Sequence, residues 1–143
     1  PKGARVLPLN SEAADYKLAG SAANARLSDL HWPLDLVWLG MGADGHTASI
    51  FPGADYEEAL NPAKGVRAIG VRPDPFPPEA PVDRVTLTVP AIVEARTTML
   101  VINGAEKQQV LEQAIEEGKK SAYPVGRVID ALTVPVDIYC LSV

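Results

Sequence analysis

The sequence predicts an α/β fold built on a three-layer, mainly parallel sheet, and three observations predict it. Short apolar runs alternate with segments of helical period along the chain. The run Leu34-Asp35-Leu36-Val37-Trp38-Leu39 is apolar except at Asp35 and stops abruptly at glycine, the pattern of a strand buried on both faces. Glycine-containing turns follow two strand candidates, after Leu39 and after Ile102, and ligands of parallel sheets gather at such carboxyl ends.

The elements follow in order. Val6-Leu7-Pro8-Leu9 is a short apolar segment. From about Ser11 to Leu30 the chain has helical period, with Ser11 suited to the N-cap and Ala14, Leu18, Ala22, Ala25 and Leu30 approximating one face. After the buried strand, Val66 to Val71 and Arg84 to Val89 read as further strands separated by a proline-rich surface loop from Arg72 to Asp83. Thr97 to Ile102 is another strand. It runs into Asn103-Gly104-Ala105-Glu106, where Asn103 caps a helix and Glu106 takes the capping-box position. That helix should reach Gly118 and bury Val110, Leu111, Ala114 and Ile115. A short helix near Pro124 to Leu132 and a last strand from Val136 to Leu141 close the pattern. Trp38 and Phe51 read most simply as core residues, and His31, beside Trp32, as a surface or packing residue.

Composition bounds the function. The 143 residues suit a single domain, 1–143, with one core, since 47% of them are apolar. A net charge of -5 with both signs interspersed argues against a nucleic-acid surface, which needs clustered Lys and Arg. The lone Cys140 forms no internal disulfide, and one Cys with two distant His makes no metal constellation; no cofactor is expected. No apolar run is long enough to cross a bilayer and no signal peptide is recognisable, so a membrane role is not expected and the predicted setting is cytoplasmic.

Chemistry concentrates in Gly40-Met41-Gly42-Ala43-Asp44-Gly45-His46-Thr47-Ala48-Ser49. Glycines there let the backbone turn sharply and approach a ligand, and an imidazole exchanges a proton near neutral pH. Asp44, two residues before His46, can fix the loop or the ring. On the residues alone two readings stand: His46 as a general base at the mouth of a buried strand, or a structural turn in which Asp44 bonds local amides. The spacing Gly-x-Gly-x-x-Gly also occurs from Gly40 to Gly45. A dinucleotide site wants an acidic residue about 20 residues on, and the stretch from Asn61 to Val66 offers none.

The longer segment Leu36-Val37-Trp38-Leu39-Gly40-Met41-Gly42-Ala43-Asp44-Gly45-His46-Thr47-Ala48-Ser49-Ile50-Phe51-Pro52-Gly53 resembles the signature of the 6-phosphogluconolactonase family. Arg84-Val85-Thr86-Leu87-Thr88 and Asn103-Gly104-Ala105-Glu106-Lys107 resemble later segments of that family in the expected order, so the resemblance spans nearly the whole chain. It implies a Rossmann-like sheet and hydrolysis of 6-phospho-D-glucono-1,5-lactone to 6-phosphogluconate, in the pentose phosphate pathway. His46 would take a proton from the attacking water and return it to the departing ring oxygen. Asp44 would orient the loop or His46. Gly42 and Gly45 would meet the substrate, their loop's amides facing the oxyanion, and Arg84 and Lys107 would hold the phosphate. Taken as bare residues, Arg84 can equally pair with Asp83, and Lys107 can be solvated. Arg72 and Arg127 are further candidates for the pocket border.

Related glucosamine-6-phosphate deaminases follow a similar Asp-Gly-His loop with an Asn-Glu pair. Here Ser49-Ile50-Phe51-Pro52 carries no carboxylate, which favours the lactonase. The alternatives are a glucosamine-6-phosphate deaminase or isomerase and a non-catalytic sugar-phosphate-binding module. Members of the family usually begin with a Gly-Gly-Ser phosphate loop and an Asp-Glu-Arg stretch, and neither occurs here. The resemblance therefore covers the C-terminal portion of a lactonase domain and implies a sheet lacking the family's N-terminal part. An uncovered sheet edge open to association and weak or absent activity of this chain alone are the expectations.

Overall fold

The computed structural model describes residues 3–10, 13, 15–78 and 81–141. Its elements are α1 (Tyr16–Leu27), β1 (Val37–Leu39), α2 (Tyr56–Leu60), β2 (Ala68–Val71), β3 (Arg84–Leu87), α3 (Val89–Val93), β4 (Thr98–Asn103), α4 (Ala105–Glu117), α5 (Pro124–Ala131) and β5 (Val136–Leu141). A turn of 3-10 helix, Gly118–Lys120, joins α4 to the segment before α5.

β1, β4 and β5 form a parallel sheet with β4 in the middle, Val37 opposite Thr98 and Thr98 opposite Val136. The fold is thus α/β with a mainly parallel sheet. Alternate residues of a strand face opposite ways. Val37, Leu39, Leu100 and Ile102 point one way and pack with Ile92 of α3, Leu111 and Ala114 of α4, and Val125 and Val128 of α5 in one continuous core. Trp38, Met99 and Tyr139 point the other way, where Trp38 is 69% exposed and Tyr139 52%. Trp38 is therefore not a core residue. Its strand has the composition of a doubly covered one, yet the described residues cover a single face.

β2 and β3 pair antiparallel in a separate two-stranded sheet. Parallel pairing needs a crossover of a dozen or more residues, usually helical, and the proline-rich connection supplies no helix. Arg72 and Asp83 clamp the two ends of that connection, Nε and Nη2 donating to the carboxylate at 2.7 and 2.6 Å. The run from Arg84 to Val89 divides: its last residue opens α3, whose first turn carries Pro90. Short apolar runs of this kind do not distinguish strand from helix by period.

α1 starts where the Asp15 carboxylate accepts from Leu18 N at 3.0 Å. The cap expected at Ser11, and Ala14 of the expected face, lie outside the described residues. The buried face is Ala19, Gly20, Ala23 and Leu27, while Leu18 and Ala25 are exposed. Small residues face inward because α1 lies backbone to backbone on β2: a Cβ on Gly20 would fall on Gly70 N, and one on Gly70 on Tyr16 O. Asn24 Oδ1 accepts from Arg67 N at 2.7 Å, fastening the same contact. Lys17 ties α1 to α2, its ammonium 2.7 Å from both Asp55 and Glu58. Burial pulls this ammonium's pKa down, but the hydrogen bonds to Asp55 and Glu58 outweigh it and leave the pKa above the ordinary lysine value.

α4 is capped by Gly104 at φ 98°, without a side-chain cap bond, so Asn103 instead ends β4. Leu111 and Ala114 are buried; Ile115, about 100° further round the helix than Ala114, is exposed. Among the described residues no helix is long and apolar enough to cross a membrane.

The α1–β2 contact yields a test. Gly70→Ala should destabilise the chain by roughly 1–3 kcal/mol in thermal unfolding, because backbone has to move to admit a methyl group. Gly40→Ala, with nothing within 4 Å of the added carbon, should leave the melting temperature nearly unchanged.

Candidate active site

The site begins where β1 ends. Gly42 N donates to His46 O at 2.9 Å and Gly45 N to Gly42 O at 3.1 Å, which folds Gly42 to His46 into a tight turn. Gly45 sits at φ 78°, a region that costs a residue with a side chain, and the ring of Tyr123 fills the place of a Cβ. Val125 N, at the start of α5, donates to Gly45 O at 3.0 Å. Thr47 is wholly buried and its hydroxyl donates to Gly40 O at 2.7 Å. Beyond it Ala48 lies at φ 51°, an uncommon conformation for a residue with a Cβ, held by bonds on either side: Ser49 N to Thr86 Oγ1 at 3.1 Å and Ile50 N to Thr47 O at 2.9 Å.

Inside this turn Asp44 Oδ1 accepts from His46 N at 3.2 Å and from His46 Nδ1 at 2.5 Å. A carboxylate only accepts, so Nδ1 carries the proton and Nε2 is left as the acceptor nitrogen of the neutral ring. Gly42 is required by the same geometry, since a Cβ there would overlap both the imidazole and the Asp44 carboxylate. The imidazole stacks on Phe51, ring centroids 4.2 Å apart and planes 29° from parallel.

His46, Asp44, Gly42, Arg84 and Lys107 line one open cleft of about 500 Å³, which Pro77 and Pro78 of the proline-rich loop also border. β3 delivers Arg84 and the first turn of α4 delivers Lys107. A cation at a helix N-terminus opposes the helix dipole, and the two together favour an anion. Gly45 is buried beneath Tyr123 and does not reach the cleft. The amides of Gly42 and Gly45 are engaged inside the turn, so these two glycines shape the loop and do not point N–H groups at a ligand. Asp83 is engaged by Arg72, whose hydrogen bonds hold the carboxyl below the ordinary carboxylate range. The guanidinium of Arg84 instead lies 5.1 Å from the Phe51 ring centroid. Neither Arg72 nor Arg127 borders this cleft among the described residues. His31 is exposed, and the neighbouring Trp32 donates to Leu27 O at 2.9 Å.

Sequence reasoning passed over two contributors. Phe51 reads as core, and it is buried, but its ring is shared by His46 and Arg84. Tyr123 had no signal except its place just before the helix-starting Pro124.

The profile of the family described as glucosamine-6-phosphate isomerases/6-phosphogluconolactonase matches residues 1–134. The chain belongs to this family. A relative named 6-phosphogluconolactonase from Mesorhizobium japonicum is 39% identical over 139 residues, 96% of this chain and 56% of its own length. The human protein of that name is 37% identical over 122 residues, 85% of this chain and 44% of its own. The crystal structure of a 6-phosphogluconolactonase from Shewanella baltica superposes with a TM-score of 0.83 at 33% identity, over 94% of this chain and 55% of that one. The chain therefore spans about half the length of the relatives it matches.

The Asp44 contact can be read directly. Nitrogen NMR of neutral His46 should report the Nδ1–H tautomer in the wild type, and Asp44→Ala should shift the population toward Nε2–H, the form free imidazole side chains favour. An unchanged tautomer in Asp44→Ala would remove Asp44 from the role of orienting the ring.

Proposed function

We propose that the domain to which this chain contributes hydrolyses 6-phospho-D-glucono-1,5-lactone to 6-phosphogluconate, the lactone step of the pentose phosphate pathway. The observation that carries this reading is the pairing, in one cleft, of an imidazole with its Nδ1 tied to Asp44 and two cations, Arg84 and Lys107, in a chain of net charge -5. A phosphate dianion is attracted only where positive groups are gathered against that overall field.

In the reaction His46 Nε2 accepts a proton from water as its oxygen attacks the lactone carbonyl. The tetrahedral adduct then breaks the bond from the carbonyl carbon to the ring oxygen, and the imidazolium returns the proton to that oxygen. Asp44 keeps Nδ1 protonated and steadies the charged ring in between. Arg84 and Lys107 hold the phosphate and so fix the distance from anchor to reacting carbon. Gly42 supplies the bare wall against which the ring is placed, and Gly45 keeps the turn tight. A cytoplasmic, reducing setting suits the single, exposed Cys140.

We propose also that the apolar sheet face carrying Trp38, Tyr139 and Leu141, together with the edge of β5, is covered in the complete enzyme by the part of the domain that relatives possess and this chain does not span. The 143-residue chain alone is then a weak catalyst or none.

Joining the chain to the unspanned part of the Mesorhizobium relative tests both statements. The joined protein should turn over the lactone and bind less of a dye that reports exposed apolar surface, and the separate chain should do neither. In it, His46→Ala should lower kcat by about 10²–10⁴-fold with little change in affinity for 6-phosphogluconate. Lys107→Met should mainly raise KM. Release of ammonia from glucosamine 6-phosphate with no lactone turnover would reverse the assignment, and unchanged turnover in His46→Ala would remove the imidazole from the mechanism.

A further inference from the structure

The Phe51 ring is in contact with both halves of the cleft's chemistry. His46 stacks on it at 4.2 Å between centroids, and the Arg84 guanidinium carbon is 5.1 Å from its centre. The guanidinium is within the distance of about 6 Å over which an aromatic face attracts a cation, and the imidazole lies in direct stacked contact with the ring. The ring is 7% exposed and follows Ile50, which is wholly buried.

The two residues before Phe51 are tied to the loop and to the strand that carry the functional groups. Ile50 N donates to Thr47 O, one residue beyond His46, and Ser49 N donates to Thr86 Oγ1 on β3. Thr86 and Arg84 are two apart on that strand and so face the same way. Loop, ring and strand thus form one unit. A tilt of the ring would alter its contact with the imidazole and with the guanidinium alike.

We propose that Phe51 is a positioning residue which sets the separation between the proton-accepting nitrogen of His46 and the phosphate anchor at Arg84. The inference rests on the lactonase reading and deepens it: the ring and short phosphate arm of a six-carbon phosphorylated lactone limit the reach from phosphate to carbonyl, and the aromatic spacer would hold the two protein groups within that reach. An aliphatic residue of similar volume fills the same space without offering a flat face to either partner.

The test compares Phe51→Leu, Phe51→Met and Phe51→Tyr, each studied well below its melting temperature. In the 143-residue chain, proton NMR should place the His46 ring protons upfield in the wild type because of the aromatic ring current. Both aliphatic variants should lose this displacement and Phe51→Tyr should keep it. In the chain joined to the remainder of the Mesorhizobium relative, the aliphatic variants should raise KM and lower kcat, with kcat/KM falling about tenfold or more, and Phe51→Tyr should recover most of that loss. Aliphatic variants within twofold of wild type in both constants, or a wild-type spectrum without the ring-current displacement, overturn the proposal. If the joined wild type proves to have no lactone turnover, the functional reading falls by itself. Affinity for 6-phosphogluconate then decides this one, with about tenfold weakening in Phe51→Leu upholding it and equal affinity overturning it.

Discussion

The constraint from which the site follows is the lack of room at Gly42. A turn of five residues closes on itself through Gly42 N and His46 O, and the imidazole folds back against the bare α-carbon, where one Asp44 oxygen meets both the ring and the backbone of His46. Nothing larger than hydrogen fits at that position, and a left-handed backbone is needed three residues on at Gly45. A histidine on an open loop would sample many rotamers and both tautomers. Here the backbone itself selects one ring orientation, at no steric cost because glycines adopt the required conformations without a Cβ clash.

The rest of the architecture serves to hold that turn still. Thr47 is buried under it, Tyr123 and Val125 of the α5 start brace its far side, and Thr86 reaches across from the hairpin. Each brace comes from a different part of the chain, so the positions of β1, β3 and α5 are all registered on ten residues. The cations reach the same cleft by two routes, a strand for Arg84 and a helix start for Lys107. The two cations thus sit on regular elements and His46 on a braced loop.

Much of this was legible in the sequence where a single local rule decides. β5 and α5 lie where the turn residues and the apolar pattern put them, and the glycine loop marked His46 and Asp44 as candidates, their roles being implied only by the family resemblance. What was not legible depends on partners distant in the chain. Trp38 sits in a run that reads as buried, and its exposure follows from the absence of a covering layer among the described residues, which the strand's own composition cannot report. The inward face of α1 is Ala and Gly except for Leu27 at its end, so amphipathic pattern points to the wrong side; the approach of Gly70 explains it. Asp83 has two arginines to choose from, at 72 and 84, and the choice is made by the hairpin's closure, not by adjacency. Phe51 shows the same limit, because a buried aromatic and an aromatic shared by two functional side chains look alike in one dimension.

The pairing of β1 with β4 places Val37 beside Thr98, about sixty residues away along the chain. Loop closure over that distance is entropically expensive and is recovered only when the strands dock. The turn bearing His46 hangs from the end of β1 and is braced by residues still later in the chain. The braces that Thr86, Tyr123 and Val125 set around this turn therefore form only with these long-range pairings, so the surroundings of the His46 ring report on completed folding, not on local structure.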